Sequence, residues 1–411
     1  MAKLVLKFGG TSVADVGRIQ AAALKVQAEI AAGHAVVVVV SAMAGVTNQL
    51  VDYCKAAWPD YSPADYDPVV ASGEQITSGL MAMALQKLGL KARPYQGWQV
   101  PILTDETHGS ARIESVGADK LLADLAAGVV PVLAGFQGVT AAGRITTLGR
   151  GGSDTSAVAV AAAIEAKRCD IYTDVDGVYT TDPRIVDKAR KLARVTYEEM
   201  IEMASLGAKV LQIRSVEMAM RHHVPVQVLS SFLPELGSAL PGTLLCDEGD
   251  VMESQVVTGI AYSREEAQVT LVGVADRPGI AAALFAPLAE AHINVDMIVQ
   301  NVSEDGKSTD VTFTVAKGDA ARAVAVVEGL KGELSLQRLL TASDVVKVSV
   351  IGVGMRSHAG VAALMFKTLS DKGINIRVIS TSEIKISVLV DEAYTELAVR
   401  ALHTAYELDA A

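Results

Sequence analysis

The segment Lys7-Phe8-Gly9-Gly10-Thr11-Ser12 follows a short apolar run and precedes a helical stretch. Its two adjacent glycines allow backbone N–H groups to approach an anion closely, and the positive end of the following helix points to the same place. Lys7 adds a full positive charge before the glycines, whereas the common nucleotide loop has its lysine after them. The segment predicts a phosphate-binding turn, although a Gly pair behind a strand is on its own more often a plain turn.

A second Gly-rich segment, residues 147–156, reads Thr-Leu-Gly-Arg-Gly-Gly-Ser-Asp-Thr-Ser and opens an apolar helical stretch. Its Ser and Asp are of the types that commonly cap helices. Arg150 is harder to explain as a turn residue, because a guanidinium in a Gly-rich loop can hold a carboxylate or a phosphate through two parallel hydrogen bonds. A polar loop follows an apolar strand at residues 171–184, and Gly207-Ala208-Lys209 starts another helical stretch. These segments are candidates for binding anionic groups.

The elements that must position these residues alternate over positions 1–230, where short β-branched runs are separated by stretches of helical periodicity. Alternation of this kind predicts a parallel sheet with helices on both faces. Ligands bind at the carboxyl ends of the strands of such sheets, and Lys7, Ser41, Gly135 and Asp174 stand at or near the ends of apolar runs. We therefore expect the candidate residues to meet at one edge of the sheet.

The pattern changes after position 230. Residues 231–253 contain several Pro and Gly residues and are predicted to form a connector. Beyond them the chain repeats itself in a constant register, because the interval from Gly279 to Gly360 is the same as the interval from Asn294 to Asn375. The repeat predicts two copies of one small module.

Composition excludes several classes of function. The chain has 36 basic and 47 acidic residues, a net charge of -11, and no basic stripe, which argues against nucleic acid as a partner. The N-terminus lacks a signal-type apolar segment, and no apolar run approaches the roughly 20 residues that a membrane span requires. We expect a cytoplasmic protein without a membrane partner. The three isolated cysteines and the seven histidines show no ligand spacing, which predicts buried thiols and no protein-built metal site.

Six strings within positions 1–230 carry a resemblance to a known family. They are K-F-G-G-T-S-V-A at the start, S-A-M-A-G-V-T-N at 41–48, S-G-E-Q at 72–75, G-F-Q-G-V at 135–139, T-L-G-R-G-G-S-D-T at 147–155 and Y-T-D-V-D-G-V-Y-T-T-D-P-R at 172–184. In this order they resemble the amino acid kinase family and, within it, the aspartokinases. The repeated module is similar to a pair of ACT domains, which are small βαββαβ units that bind amino acids.

The resemblance implies an α/β fold and a domain order. A three-layer αβα kinase domain with a mainly parallel sheet is expected over residues 1–230, followed by the connector at 231–253. Two α+β ferredoxin-like ACT domains are expected beyond it, in an interleaved arrangement. The first copy would span 263–340, and the second copy would combine 254–262 with 341–411.

The resemblance also implies an activity. An aspartokinase transfers the γ-phosphoryl group of ATP to the β-carboxylate of L-aspartate, which gives 4-phospho-L-aspartate in the first step of lysine, threonine and methionine biosynthesis. Phosphoryl transfer depends on positioning and charge neutralisation more than on covalent chemistry. Mg²⁺ is implied by the charge of ATP and would be held mostly by phosphates and water.

The matched motifs assign roles to individual residues. Catalysis is assigned to Lys7, Asp154 and Lys209, with the two lysines beside the transferred phosphoryl group and Asp154 holding them. Aspartate binding is assigned to Ser41, Thr47, Glu74, Arg150, Gly152 and Ser153. Nucleotide binding is assigned to Lys7, Gly9, Gly10, Ser12, Thr173, Asp174, Tyr179, Asp182, Arg184 and Lys209. Glu74 suits the ammonium group of aspartate, although a Glu in the first turn of a helix is often only a partner of the helix dipole.

The ACT pair implies feedback regulation by lysine, threonine or both. A turn before a helix offers N–H groups to an α-carboxylate, and Asn can receive other polar groups, although Gly and Asn alone more often make plain turns. The candidate effector residues are Asp276, Gly279, Ile280, Asn294, Gln300, Gly360, Val361, Asn375, Ile376, Thr381 and Ser382. The second copy has Ala359 where the family commonly has Pro, which weakens the expectation of a ligand there.

Two other functions fit parts of the sequence. Another member of the same fold would phosphorylate glutamate, acetylglutamate or a nucleoside monophosphate, but the S-G-E-Q string and the ACT pair argue against it. A catalytically silent amino acid sensor would use the ACT pair alone. The presence of Lys7, Arg150, Asp154 and Lys209 argues against a silent protein.

Met252 stands where the connector meets the ACT region. Some aspartokinases make a second, shorter chain from an internal start at this place, and here such a chain would run from Met252 to Ala411. The protein is therefore expected to be a homo-oligomer or a hetero-oligomer with this short chain. The alternative is that one of the 12 methionines falls in a linker without further meaning.

Overall fold

The computed structural model describes residues 1–207, 210–234, 242–250, 256–303 and 306–409, so that Lys209 and Met252 lie outside the described residues. The chain divides into two compact units. The first consists of residues 1–178 and 191–252, and the second of residues 179–190 and 253–411. The first unit contains the N-terminal Gly-rich turn, and the second contains the repeated module.

The first unit alternates strands and helices. Its strands are β1 (Lys3–Phe8), β2 (Ala35–Val40), β3 (Ala92–Tyr95), β4 (Ile102–Thr104), β5 (Ile113–Val116), β6 (Val130–Ala134), β7 (Gln137–Val139), β8 (Ile145–Thr147), β9 (Arg168–Thr173), β10 (Arg194–Thr196), β11 (Val226–Ser230) and β12 (Thr243–Cys246). Its helices are α1 (Val16–Ala31), α2 (Val46–Ala57), α3 (Pro63–Val70), α4 (Ser72–Lys87), α5 (Asp119–Ala126), α6 (Gly152–Ala163), α7 (Tyr197–Ser205) and α8 (Ile213–Arg221).

Eight strands form the main sheet in the order β10-β12-β11-β9-β1-β2-β6-β3. Neighbouring strands are parallel except for the pair β11 and β12. Five consecutive valines of β2 are buried, so both faces of the sheet are covered there, as a continuous apolar strand requires. Helices α1 and α4 cover the strands with Ile19, Val26, Met81 and Leu85. Four shorter strands form a second sheet in the order β5-β4-β7-β8.

Strand β12 lies inside the segment predicted to be a connector. It pairs antiparallel with β11 and parallel with β10. Gly242 makes the pairing with β11 possible, because a Cβ atom on it would stand only 2.1 Å from the carbonyl oxygen of Val228. The hydroxyl of Thr243 donates to the carbonyl of Leu192 at 2.6 Å. The strand is short and stands beside Pro and Gly, so no local pattern indicates it.

The second unit contains two antiparallel four-stranded sheets, in the orders β15-β16-β14-β17 and β13-β18-β20-β19. Its strands are β13 (Gly259–Ser263), β14 (Glu266–Ala275), β15 (Val295–Val302), β16 (Ser308–Ala316), β17 (Arg338–Ala342), β18 (Val345–Ile351), β19 (Val378–Thr381) and β20 (Lys385–Asp391). Its helices are α9 (Ile280–Glu290), α10 (Ala320–Gly329), α11 (Lys331–Leu334), α12 (Val361–Asp371) and α13 (Thr395–Ala405). The predicted fold class, an α/β kinase domain followed by two α+β modules, is confirmed.

The two modules begin their first helices in the same way. Helix α9 follows Gly279 with φ of +90°, and α12 follows Gly360 with φ of +101°. Both values lie in the left-handed region that favours glycine. Strand β13 precedes the first module in the chain but pairs with β18, so it belongs to the sheet of the second module.

An ion pair network around the buried Lys347 joins the two modules. The ammonium of Lys347 on β18 lies 2.7 Å from Glu266 on β14 and 2.7 Å from Asp296 on β15. Burial disfavours the charged lysine, but the two carboxylates outweigh it and raise the pKa of Lys347. A small apolar cluster beside β15 adds to the contact; it consists of Met297, Val345, Val378 and Leu389. The modules are therefore fixed to each other by charge as well as by packing.

Residues 179–190 lie within the predicted kinase domain but belong to the second unit. Their apolar side chains Ile185, Val186 and Ala189 join the core that contains α12 and α13. Arg400 on α13 donates from Nε to the carbonyl of Ile185 at 2.8 Å. These contacts join segments that are far apart in the sequence, which is why the local pattern gives no sign of them.

The three cysteines, Cys54, Cys169 and Cys246, are free thiols in buried positions. Burial raises the pKa of the Cys169 thiol well above its ordinary value, so this thiol stays protonated. Within the described part of the chain, no helix is both long enough and apolar enough to cross a membrane.

Candidate active site

A cleft of about 680 Å³ is lined by residues that follow β1, β2 and β6 and by the first turn of α6. It lies at the carboxyl ends of parallel strands, where ligands of such sheets bind. The structure brings together nine of the predicted site residues in its wall: Lys7, Gly10, Ser41, Thr47, Glu74, Arg150, Gly152, Ser153 and Asp154.

The ammonium of Lys7 and the carboxylate of Asp154 form an ion pair in this wall. The Nζ and Oδ1 atoms are 2.5 Å apart, and about a tenth of each side chain is exposed. Lys7 belongs to β1, and Asp154 belongs to the first turn of α6. A strand and a helix that are far apart in sequence thus hold one cation at the edge of the cleft.

Helix α6 points its N-terminus at the cleft because of the glycines that precede it. Gly149 and Gly151 have φ of +76° and +67°, which lets the chain turn sharply from β8 into the helix. A Cβ atom on Gly151 would lie 2.1 Å from the side chain of Gln212, so no larger residue fits. All but the last two residues of α6 are buried, and its N–H groups and dipole favour an anion at this end.

Glu74 reaches the cleft from the first turn of α4. Its Oε1 atom accepts a hydrogen bond of 2.9 Å from the backbone N–H of Ala42. The close approach depends on Gly73, because a Cβ atom there would stand 2.8 Å from the Cβ of Ala42. The Oε2 atom is buried and has no hydrogen-bond partner among the described residues.

Burial raises the pKa of Glu74 to about 7, and the N–H of Ala42, its own N–H and the nearby Lys7 oppose the rise only in part. A carboxyl group with such a pKa and one unused oxygen can accept a cationic group of a ligand. Arg150, also in the wall, is exposed and makes no hydrogen bond or ion pair with the described residues. The cleft therefore offers separate positions for an ammonium and for a carboxylate.

Comparison with known proteins agrees with this geometry. A profile of the amino acid kinase family matches residues 2–230, and profiles of the ACT domain match residues 268–332 and 348–406. The chain is 53% identical over 411 residues to an aspartate kinase of Stutzerimonas stutzeri (strain A1501), which covers 100% of this chain and 98% of that protein. The chain belongs to the aspartate kinases of the amino acid kinase family.

Solved structures of aspartate kinases resemble the whole chain. One is E. coli aspartokinase III in complex with aspartate and ADP, in the R-state, with a TM-score of 0.78 and 30% identity over 98% of this chain and 99% of that chain. Another is the same enzyme in complex with lysine and aspartate, in the T-state, with a TM-score of 0.76 and 30% identity over 98% of each chain.

Two residues of the predicted phosphate-binding turn of this aspartate kinase face the sheet. The N–H of Gly9 donates to the carbonyl of Tyr172 on β9 at 3.1 Å. Ser12 is fully buried, and its hydroxyl donates to the same carbonyl at 3.2 Å. Neither residue lines the cleft, because both are used to hold the turn against β9. Of this turn, Gly10 lines the cleft, and a Cβ atom on it would approach the carbonyl of Ala42 to 3.0 Å.

The other predicted nucleotide residues are divided between the two units. Thr173 and Asp174 lie at the end of β9 in the first unit but do not line the cleft. Tyr179, Asp182 and Arg184 belong to the second unit. Arg184 donates from its guanidinium to Asp182 at 2.7 Å and lowers the pKa of that carboxylate. Lys209 lies outside the described residues.

Four predicted effector residues surround a second cavity, of about 380 Å³, in the first ACT module. They are Asp276, Gly279, Ile280 and Gln300. Asn294 does not line this cavity. In the second module, Gly360 and Val361 stand at the start of α12 and Asn375 and Ile376 follow that helix. Thr381 and Ser382 are exposed at the end of β19.

The sequence did not indicate several residues of the cleft wall. Phe136 has φ of +67°, which is unusual for an aromatic residue, and lines the cleft after β6. Tyr66 on α3, Gly109 and Thr147 also line it. Tyr66 and Gly109 come from segments without a recognisable chemical pattern, whereas Phe136 lies in the G-F-Q-G-V string and Thr147 opens the T-L-G-R-G-G-S-D-T string.

We predict that Glu74→Gln stabilises the fold at pH 8. A folded pKa of about 7 against an ordinary value of 4.5 means that the folded protein binds this proton more tightly, so stability falls as pH rises from 4.5 through 7. The resulting loss in the free energy of unfolding is about 3 kcal/mol at most. Denaturant unfolding should give the variant an advantage of roughly 1 to 3 kcal/mol at pH 8 and none at pH 4.

The matched control is Glu217→Gln, which removes the same charge from an exposed position on α8. It should change the free energy of unfolding by less than about 0.5 kcal/mol at either pH. Equal stability of Glu74→Gln and wild type at pH 8 would show that the buried carboxyl group carries no such cost.

Proposed function

We propose that this aspartate kinase binds L-aspartate and the γ-phosphoryl group of ATP in the cleft around Lys7 and forms 4-phospho-L-aspartate. One observation supports the proposal above all others. The same cleft contains the ion pair of Lys7 and Asp154, the buried carboxyl group of Glu74 and the guanidinium of Arg150. Among the described residues, one Glu74 oxygen and the Arg150 guanidinium have no partner. An amino acid with a second carboxylate matches these charges.

In the proposed complex, Glu74 accepts the α-ammonium of aspartate and Arg150 binds the α-carboxylate through parallel hydrogen bonds. Ser41, Thr47 and Ser153 add hydroxyl groups to the same wall. Held in this way, the substrate directs its β-carboxylate toward Lys7. The complex of E. coli aspartokinase III with aspartate and ADP supports a cleft of this kind.

The transfer step needs no general base. The β-carboxylate is already ionised at pH 7, and one of its oxygens attacks the γ-phosphorus. The bond from that phosphorus to the bridging oxygen breaks, and ADP leaves with the electron pair. Lys7 and the N-terminus of α6 offset the negative charge on the transferred group, which is the main contribution a protein makes to this reaction. Asp154 keeps the ammonium of Lys7 in place.

Mg²⁺ would accompany the nucleotide. The described residues contain no group of three or more His, Cys, Asp or Glu placed to hold a metal. The carboxylate of Asp154 is already paired with Lys7. The ion would therefore be held mostly by phosphate oxygens and water, as is usual for Mg²⁺ in kinases, and would neutralise part of their charge.

The substrate assignment is tested by measuring ADP formation with aspartate, with glutamate and without an acceptor. We expect turnover with aspartate only. Equal turnover with glutamate would contradict the substrate, and ADP without any acceptor would contradict the transfer. No ADP under any condition, in a folded protein that still binds lysine or threonine, would instead support the amino acid sensor.

We further predict that Lys7→Ala lowers kcat by at least 10²-fold, about 3 kcal/mol, because a preorganised charge facing the transferred group is lost. Lys3→Ala, at the other end of β1, is the matched control and should keep the wild-type kcat. Near-normal turnover of a folded Lys7→Ala protein would remove Lys7 from the reaction. The predicted role of Lys209 is open to the same measurement.

For regulation, we propose that lysine and threonine bind the ACT modules. The cavity at Gly279 joins the N-terminus of α9 to the carboxylate of Asp276, which suits the α-carboxylate and ammonium of an amino acid. The T-state complex of E. coli aspartokinase III with lysine supports lysine as an effector. Inhibition requires that an effector binds an inactive arrangement better than the active one.

Bulky replacements at two strand ends should weaken inhibition. Thr381 ends β19, and Ser303 follows the last residue of β15. Thr381→Phe and Ser303→Phe are expected to keep the activity without effectors and to need at least about 10-fold more lysine or threonine for half inhibition, which corresponds to about 1.4 kcal/mol of lost coupling. Dose-response curves with each effector and with both measure the change. Wild-type activity that ignores lysine and threonine, singly and together, would contradict the proposal.

The oligomer is proposed to contain either the long chain alone or the long chain with a short chain that starts at Met252. Expression of the untagged gene decides between them. Two bands, the smaller abolished by Met252→Leu, are expected if the short chain is made. One band that Met252→Leu leaves unchanged would contradict the hetero-oligomer.

A further inference from the structure

Asp67 on α3 has a fully buried carboxylate beside the cleft. Its Oδ1 atom accepts a hydrogen bond of 2.6 Å from the hydroxyl of Thr147, and its Oδ2 atom lies 2.7 Å from Nδ1 of His108. The backbone N–H of Gly109 lies 3.1 Å from both oxygens. A buried carboxylate is costly unless it is hydrogen-bonded. Here three donors from two separate segments satisfy it.

Two of the three donors belong to residues of the cleft wall, whereas Asp67 and His108 do not line it. Gly109 and Thr147 are both wall residues. Thr147 ends β8, three residues before Arg150. The hydrogen bond from Thr147 to the Asp67 carboxylate therefore fixes the backbone close to Arg150. Arg150 makes no contact of its own that would fix it within the described residues. Its position therefore depends on its backbone.

The two segments that Asp67 joins are also bound to each other. The N–H of Ala111 donates to the carbonyl of Thr147 at 2.9 Å. From the other side, the guanidinium of Arg214 donates to the carbonyls of Leu148 and Ala111 at 2.7 and 2.5 Å. Asp67 connects this network to α3.

Helix α3 leads directly into α4, whose first turn carries Glu74. The amide of Gln137 donates to the carbonyl of Ala71 at 3.1 Å and ties this junction to β7. Asp67 thus connects the helices that carry Glu74 to the loop that carries Arg150. The distance between Glu74 and Arg150 therefore depends on this connection. In the proposed complex these two residues bind the ammonium and the carboxylate of one substrate.

We propose that Asp67 is a positioning residue for aspartate binding, which sets the place of Arg150 relative to Glu74 through Thr147, His108 and Gly109. This inference rests on the proposed roles of Arg150 and Glu74. Charge-assisted hydrogen bonds are stronger and more directional than neutral ones, so the carboxylate selects one arrangement of the wall. Its loss should weaken aspartate binding and leave nucleotide binding unchanged.

The test is steady-state kinetics of the full chain with aspartate and ATP varied separately. Asp67→Ala is expected to raise KM for aspartate by at least 10-fold, while kcat and KM for ATP change by less than 3-fold. Asp67→Asn should recover most of the loss, because its amide oxygen still accepts hydrogen bonds from Thr147 and Gly109. His108→Leu removes one donor and should raise KM for aspartate 3-fold or more.

Asp65→Ala is the matched control on the same helix. Asp65 is exposed and pairs with Arg144 at 3.0 Å on the surface, so its loss should leave both KM values unchanged. If circular dichroism shows that Asp67→Ala does not fold, Asp67→Asn and His108→Leu replace it in the test. The KM for aspartate of Asp67→Asn is then expected to lie between those of wild type and His108→Leu. An unchanged KM for aspartate in both remaining variants overturns the proposal.

Arg150→Ala separates the two hypotheses. A raised KM for aspartate in Arg150→Ala together with normal values in the Asp67 and His108 variants overturns the positioning role and leaves the proposed function intact. An unchanged KM in Arg150→Ala overturns the proposed role of Arg150, and the inference falls with it. A parallel rise of KM for aspartate and for ATP in Asp67→Ala shows a general structural role and also overturns the proposal.

Discussion

The ion pair between Lys7 and Asp154 joins the end of β1 to the first turn of α6, and the cleft is arranged around it. A lysine that is largely removed from water needs a partner, because an isolated buried charge costs several kcal/mol. Asp154 supplies that partner at the place where the helix dipole and its free N–H groups favour an incoming anion. The position of Lys7 thus depends on α6, which depends in turn on the glycines that turn the chain after β8.

Around this pair two charged groups lack protein partners within the described part of the chain, and the burial of one of them is costly for the fold. Glu74 is buried with one oxygen that accepts no hydrogen bond there, and its pKa is raised to about 7. Arg150 extends into the same cleft without a partner among the described residues. Sites that bind charged ligands commonly give up stability in this way, because the ligand completes the interactions that the protein leaves open.

The two repeated modules are held in one relative arrangement by contacts between their sheets. Lys347 bridges two carboxylates of the other module, and a bulge in β15 brings Met297 with φ of +46° into the apolar cluster beside them. A largely buried ion pair adds little net stability, but the removal of one partner is strongly destabilising, so the two modules hold Lys347 and its carboxylates together. A contact of this type is suited to a regulated protein, in which the relation between modules has to be definite.

The sequence by itself determined much of this protein. The alternation of strands and helices predicted a parallel sheet, and the constant register from Gly279 to Gly360 predicted two copies of one module. The full fold class and much of the cleft wall were predicted from the resemblance of the Gly-rich strings to the amino acid kinase family. These predictions were possible because the residues that form a turn before a helix are neighbours in the sequence. Parallel strands then bring such turns to one edge of the sheet without further information.

Only the tertiary structure decided the features that depend on partners distant in sequence. Gly9 and Ser12 donate hydrogen bonds to the carbonyl of Tyr172. The segment after Gly242 pairs as a strand, and residues 179–190 belong to the second unit. The fold also surrounds Asp67 with donors from two segments that lie far along the chain from it. Hydrogen bonds and apolar contacts of this kind satisfy buried groups wherever the fold brings them together, and a local pattern contains no record of which segment will arrive.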